Sequence, residues 1–390
     1  MEKLSQHLAP TSPTPLNLSI SRAEGSYLYS AFDRPYLDFI SGIGVSNMGH
    51  KHPAVVKAIK DQADKHLHVM VYGEMEQTVQ TEFAKLLTQQ TPKHLNAVYF
   101  VNSGTEANEA AIKLARRVTG KSEIIACRKS YHGCTTGSLA ISGNEMKKYA
   151  FRPLMSGVNF ISFNKLEDLN RITKETAAVF IETIQGDAGI RIPDKEWMKA
   201  LRKRCDETCT LLVMDEIQCG MGRTGSLFAF EQFGISPDLL TLGKALGGGL
   251  PIGALLASEK MLNQFASNPV LGHISTFAGH PLACAAGLAN LEAMLEENVI
   301  AEVENKGKLL HQLLQHPKIV EVRWKGLFFG VELGNAEEVK QVVEACLQQG
   351  VLVYWFLSSP NSFRIAPPLN ISIEDLKFGA NAIVNALNQL

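Results

Sequence analysis

A chain of 390 residues with 45% apolar and 20% charged residues can bury a full core, and it is long enough for two or three domains. Thirty-eight basic against 39 acidic residues leave a net charge of −1, which offers no general attraction to nucleic acid or to an anionic membrane surface. No apolar run approaches the roughly 18 to 20 residues that cross a bilayer, and the first residues lack a signal-like apolar stretch, so small-molecule chemistry in the cytoplasm is the expectation.

The first 15 residues, with Pro10, Pro13 and Pro15 among Ser and Thr, read as a loose arm. Alternating stretches at Ser26–Ser30 and Arg34–Phe39 predict a small hairpin. Helical spacing then runs from Val55 to Leu87, with a break near Tyr72 and Gly73. From Asn96 to Ala257 short apolar runs alternate with amphipathic ones: Ala97–Val101, Glu123–Cys127, Val158–Phe163, Ala177–Ile184, Leu211–Ile217, Leu239–Leu242 and Ile252–Ala257. This is the rhythm of an α/β fold, a mostly parallel central sheet flanked by helices.

Helical spacing returns from Ala283 to Leu314. Gly326–Leu333, a helix from Ala336 to Gln349, Val351–Trp355, Phe363–Ile365 and a last helix from Ile373 onward predict a smaller α+β domain built from both chain termini. The expected division is an N-terminal arm and part of the small domain at 1–50, a large α/β domain at 51–295, and the rest of the small domain at 296–390. Seven cysteines scattered from Cys127 to Cys346 suit a reducing compartment. Cys205 and Cys209 have no histidine nearby to complete a metal set, so they read as two residues of a helix following Trp197, and no metal site is expected.

Five apolar runs stop on polar or glycine-rich residues, and in an open parallel sheet ligands bind in the crevice at the carboxyl ends of the strands. Ala97–Val101 leads into Asn102-Ser103-Gly104-Thr105, which opens a helix whose free N–H groups face an anion. A plain helix cap explains that motif equally well by itself. Lys244 follows Leu239–Leu242 and precedes Gly247-Gly248-Gly249, which puts an amine at the floor of the crevice. Burial there lowers its pKa and frees it to attack a carbonyl. Its glycines follow the lysine, which is the wrong order for a P-loop.

Asp215 ends the apolar run from Leu211 and needs a cationic or hydrogen-bonded partner. A protonated pyridine nitrogen is such a partner, and a structural salt bridge is another. Tyr131 and His132 would set an aromatic ring beside a flat ligand, or else belong to the core.

Together these stretches resemble the class III (ω-amino acid) aminotransferases of the fold-type I pyridoxal-phosphate enzymes. The family includes acetylornithine, ornithine and 4-aminobutyrate aminotransferases. The resemblance runs from about Gly25 to the C-terminus. It rests on Gly49-His50-Lys51-His52-Pro53, Asn102-Ser103-Gly104-Thr105-Glu106-Ala107, Ser130-Tyr131-His132-Gly133, Ile184-Gln185-Gly186, Asp215-Glu216-Ile217-Gln218, Gly222-Arg223-Thr224-Gly225, Gly243-Lys244-Ala245-Leu246-Gly247-Gly248-Gly249, Ser275-Thr276-Phe277-Ala278-Gly279-His280-Pro281 and Phe363-Arg364-Ile365-Ala366-Pro367-Pro368-Leu369.

The resemblance implies that Lys244 is the catalytic residue and holds pyridoxal 5'-phosphate covalently. Gly104 and Thr105, beside Ser103, hold its phosphate together with Thr276 of the partner subunit. Tyr131 stacks on the ring next to His132, Glu182 helps frame the site, Asp215 pairs with the ring nitrogen, and Gln218 contacts the ring hydroxyl. It also implies a homodimer with shared sites, and ping-pong transfer from an amine donor to a keto acid such as 2-oxoglutarate.

Arg364 resembles the family arginine that clamps an α-carboxylate. Asp187 sits where relatives carry a longer glutamate that pairs with it. After His132-Gly133 the three named enzymes generally carry an arginine for the far carboxylate of the substrate, and this chain has Cys134. Either Lys147 or Arg152 substitutes, or the donor is of another kind, such as a diamine, with Tyr72 and Trp355 lining its pocket. The alternatives are a glutamate-semialdehyde-type aminomutase, a catalytically silent cofactor-binding dimer, and a nucleotide-binding α/β protein. The Gly222-Arg223-Thr224-Gly225 stretch is usual in the transferases and not in the aminomutases.

Overall fold

A computed structural model describes residues 7–9, 11–12, 15–71 and 73–390. Much of the N-terminal arm and Tyr72 therefore lie outside the described residues.

The apolar runs form one seven-stranded sheet from β4 (Ala97–Val101), β5 (Glu123–Cys127), β6 (Val158–Ile161), β7 (Thr176–Glu182), β8 (Leu211–Asp215), β9 (Leu239–Leu242) and β10 (Gly253–Ala257), in the order β4-β10-β9-β8-β7-β5-β6. Strand β10 runs antiparallel to both of its neighbours, and the other pairings are parallel. All seven residues of β7 and all five of β10 are buried, as helices on both faces require.

Side chains alternate between the two faces with the period of a strand. Ile124, Ala126, Phe180, Val213 and Leu255 pack with Ala110, Ala111, Leu114 and Ala115 of the helix Gly104–Thr119. Ile125, Val179, Ile181, Leu212 and Met214 pack with Trp197, Met198 and Leu201 of the helix Lys195–Thr208. Each large aliphatic side chain buried this way contributes about 1.5–3 kcal/mol. The alanine stripe of Gly104–Thr119 lets that helix lie close to the strands. Its start is fixed by Ser103, whose hydroxyl accepts from Glu106 N at 3.3 Å, and its end by Gly120 at φ 69°.

The predicted hairpin is present as β2 (Tyr27–Ser30) and β3 (Pro35–Asp38), and sequence reading misses its third strand, β1 (Ile20–Glu24). The run Val351–Trp355 is not one strand. Its first half, β13 (Val351–Leu352), pairs with β3, whereas β14 (Tyr354–Trp355) joins β11 (Glu321–Lys325), β12 (Phe328–Glu332) and β15 (Ser362–Ile365) in the order β11-β12-β15-β14. Residues near the two chain ends thus share one sheet. Cys205 lies within its helix, but Cys209 lies just past the end in a left-handed conformation. Among the described residues, no helix is long and apolar enough to cross a membrane.

Candidate active site

Register places three polar residues side by side at the carboxyl ends of the parallel strands. Glu182 of β7 is opposite Asp215 of β8, and Asp215 is opposite Thr241 of β9. The chain then passes through Gly243 to Lys244, whose φ of +47° is a strained conformation for a non-glycine residue. Asp215, Glu182 and Lys244 line one cavity of about 250 Å³ together with Gly104, Thr105, Tyr131, His132, Gly133, Cys134 and Gln218. Most of the sequence-predicted constellation is therefore brought into a single crevice.

Asp215 is 4% exposed and held from three directions. Its Oδ2 accepts from Asn108 Nδ2 and pairs with His132 Nδ1, both at 2.8 Å, and its Oδ1 accepts from Ile217 N at 3.0 Å. Asn108 also donates to the carbonyl of His132 at 2.8 Å and accepts from Thr241 Oγ1 at 2.9 Å. Sequence reasoning misses Asn108 and Thr241. The available signal is a polar residue interrupting the small-residue face of the helix that opens at Gly104. His132 lines the cavity, and its ring bonds to Asp215 at 2.8 Å and packs edge-on against Phe180.

Glu182 accepts from Tyr131 N and from Gly186 N, both at 2.9 Å. Burial, reinforced by the Asp215 charge, pushes its carboxyl up to about 7 against the opposing pull of His132 and the two N–H groups. Burial likewise lowers the Lys244 amine below the usual lysine range, Asp215 opposes this shift, and Arg364 adds to it. The Tyr131 hydroxyl is raised by burial and by its 3.1 Å contact with Cys134 Sγ.

Ser103 is spent on capping its helix and does not line the cavity. Thr105 Oγ1 meets Thr135 Oγ1 at 2.9 Å and is also bonded to Ser138 Oγ. Thr276 is exposed and outside the cavity of its own chain. Arg152 is tied to Glu145 at 2.6 Å and Lys147 is exposed, and neither lines the cavity. Trp355 stacks on Tyr354 at 4.2 Å between centroids and also lies outside it.

Arg364 and Asp187 are both buried and form an ion pair at 3.3 Å, so the shorter acid does reach. Arg223, fully buried, donates to the carbonyls of Leu327 at 3.0 Å and Pro367 at 2.6 Å and to Asn47 Oδ1 at 2.5 Å. That motif is a bolt between segments and is not part of the cavity.

The donor set fits a flat cationic ring with an anionic tail. Asp215 Oδ1 retains acceptor capacity on a carboxylate that lines the cavity, and Lys244 brings an amine to the same space. A Cβ on Gly104 would lie 2.7 Å from Ile217 Cδ1 and one on Gly133 2.2 Å from Thr105 Oγ1. Only glycines let the backbone close in at these two points.

The Aminotransferase class-III family matches residues 8–387. The acetylornithine aminotransferase of Clostridium acetobutylicum is 39% identical over 373 residues, covering 92% of this chain and 94% of the relative. That of Methanosarcina mazei is 40% identical over 379 residues, covering 95% and 91%. Among solved structures, a transaminase from the marine bacterium Virgibacillus superposes with a TM-score of 0.92 at 26% identity, covering 99% of this chain and 97% of that one. The ornithine aminotransferase of Toxoplasma gondii gives 0.91 at 27% identity, covering 99% and 92%. The fold is that of the fold-type I transaminases, pyridoxal phosphate is the cofactor, and the chain belongs to the class III aminotransferase family.

Proposed function

We propose that this enzyme takes an amino group from an ω-amine donor whose far end carries no carboxylate, a diamine-like compound, and passes it to a keto acid such as 2-oxoglutarate. The single observation that carries the donor half is Cys134. A thiol beside the Tyr131 hydroxyl lines the cavity where the family resemblance places an arginine, and neither Lys147 nor Arg152 lines it. A distal carboxylate would there be desolvated without a partner, which is costly.

Pyridoxal phosphate, when bound, supplies the carbonyl that takes up the amino group and the electron-withdrawing ring that eases proton loss. Asp215, fixed by Asn108 and His132, holds the proton on the ring nitrogen. The Lys244 amine, lowered by burial, removes the proton from the carbon bearing the donor nitrogen and returns it one position away. The N–H groups at Gly104 and Thr105 would bind the phosphate, Tyr131, Glu182 and Gln218 would enclose the ring, and Arg364 would take the α-carboxylate of the acid substrates.

Homodimerisation belongs to the same proposal. Thr276, exposed in its own chain, would complete the phosphate site of the partner, and exposed Met70, Met75, Ile274 and Phe277 lie in the segments that would be covered. A cytoplasmic address is supported by seven free cysteines, and the division at about 50 and 295 by the sheet shared between the chain ends.

The test is a half-reaction screen of amines against the holoenzyme, following bleaching of the visible absorption. Diamines and other ω-amines should bleach it faster than α-amino acids other than glutamate. Equal rates across the panel would overturn the donor assignment.

A further inference from the structure

The Asp187–Arg364 pair is incomplete in a specific way. Only one N–H, from Arg364 Nη2, reaches Asp187 Oδ1, at a long 3.3 Å, and Arg364 Nε is buried without a partner among the described residues. The guanidinium instead lies over the Phe356 ring at 4.5 Å. Asp187 meanwhile is gripped from its other side by the turn between β14 and β15. Its Oδ1 accepts from Leu357 N at 3.0 Å and its Oδ2 from Ser358 Oγ at 2.6 Å. The Ser358 hydroxyl is oriented in turn by Asn144 Nδ2 at 2.8 Å. Asn144, Ser358, Asp187 and Arg364 thus form one chain of contacts that draws on three separate segments.

A carboxylate facing a guanidinium settles into a two-bond fork unless something restrains it. The two donors of the 357–358 turn are that restraint. We propose that Ser358, set by Asn144, is a positioning residue that holds the Asp187 carboxylate partly off Arg364, so that the guanidinium keeps free N–H groups for the carboxylate of an incoming amino or keto acid. Asp187 still neutralises Arg364 when the bound donor has no carboxylate there. None of Asn144, Ser358, Asp187 and Arg364 lines the cavity itself, so Ser358 acts on substrate only by way of the carboxylate that Arg364 would receive. This inference rests on the proposed role of Arg364 as the α-carboxylate site.

The test uses the holoenzyme and two readouts: steady-state KM and kcat for 2-oxoglutarate, and the dissociation constant of glutarate, which lacks the reactive keto group, by calorimetry. Ser358→Ala frees Asp187 to close on Arg364. It should weaken glutarate and raise the KM for 2-oxoglutarate by about 5- to 10-fold, the scale of one ordinary net hydrogen bond. The kcat and the KM for a diamine donor should stay unchanged, and Ser358→Thr should restore binding. In an Asp187→Asn background Ser358→Ala should have no further effect, because the group it restrains no longer carries charge. Ser358→Ala without effect on either constant, or with the same effect in the Asp187→Asn background, overturns the positioning role. Arg364→Ala without effect on glutarate overturns the Arg364 reading itself, which separates the two failures.

Discussion

Asn108 Nδ2 donates to Asp215 Oδ2 at 2.8 Å from within the helix whose first turn is the proposed phosphate cradle, so on that proposal one helix sets both ends of the cofactor site. The same amide nitrogen reaches the carbonyl of His132, the residue that holds Asp215 from the other side. Removing the amide in Asn108→Ala deletes a bond to a charged group worth about 1.5–3 kcal/mol. Cofactor affinity should fall about 10- to 100-fold, measured by re-addition of pyridoxal phosphate to dialysed protein. Unchanged affinity would mean that Asp215 needs no such support.

The burial of Lys244 predicts a pH dependence. A lysine whose pKa is lowered is neutral, and therefore nucleophilic, at lower pH than the ordinary value of about 10.4 allows. The rate at which cofactor-free enzyme captures pyridoxal phosphate should rise with pH to a plateau with its midpoint below that value. Asp215→Asn removes the charge that favours the protonated amine, so it should move the midpoint lower still. A midpoint at or above the ordinary value contradicts the buried-amine account.

Cys134 lies in the cavity wall beside the Tyr131 hydroxyl. Cys134→Arg should create the missing distal cation and raise kcat/KM for 4-aminobutyrate by about 10-fold or more, the worth of a charge-assisted pair. The same change should lower kcat/KM for a diamine by like-charge repulsion. Steady-state kinetics on the two donors checks both directions, and a variant that moves both the same way speaks against Cys134 as the specificity determinant.

Arg223 predicts a stability effect with little effect on chemistry. Its guanidinium is the donor for Leu327 O, Pro367 O and Asn47 Oδ1, all away from the cavity. Arg223→Met leaves these buried acceptors unsatisfied and should cost about 3 kcal/mol or more. The urea midpoint should drop, while cofactor content and turnover of the remaining folded enzyme stay close to normal.

What was legible in the sequence follows from burial. The central strands are apolar throughout because both sheet faces are covered, so their runs stand out, and the residues that end them were readable as a site. Strand β1 carries Ser21, Arg22 and Glu24 on an exposed edge, and β11 carries Glu321, Arg323 and Lys325, so neither shows a buried run. The split at Val353 is hidden because both halves of Val351–Trp355 are apolar. Asn108 is invisible for a different reason: next to Glu106 and Glu109 it looks like a solvent-facing residue. Only the alanines sharing its face, Ala111 and Ala115, give its buried position away. The hold of Ser358 on Asp187 joins positions 171 residues apart and has no local signal at all.

The central claim is that the Lys244 amine and the Asp215 carboxylate hold one ring between them. Borohydride reduction of the holoenzyme followed by peptide mapping tests it most directly. The account predicts a single modified peptide, carrying the reduced cofactor on Lys244, and a much lower yield of that peptide from Asp215→Ala protein. Label on another lysine, or a yield indifferent to Asp215, would contradict it.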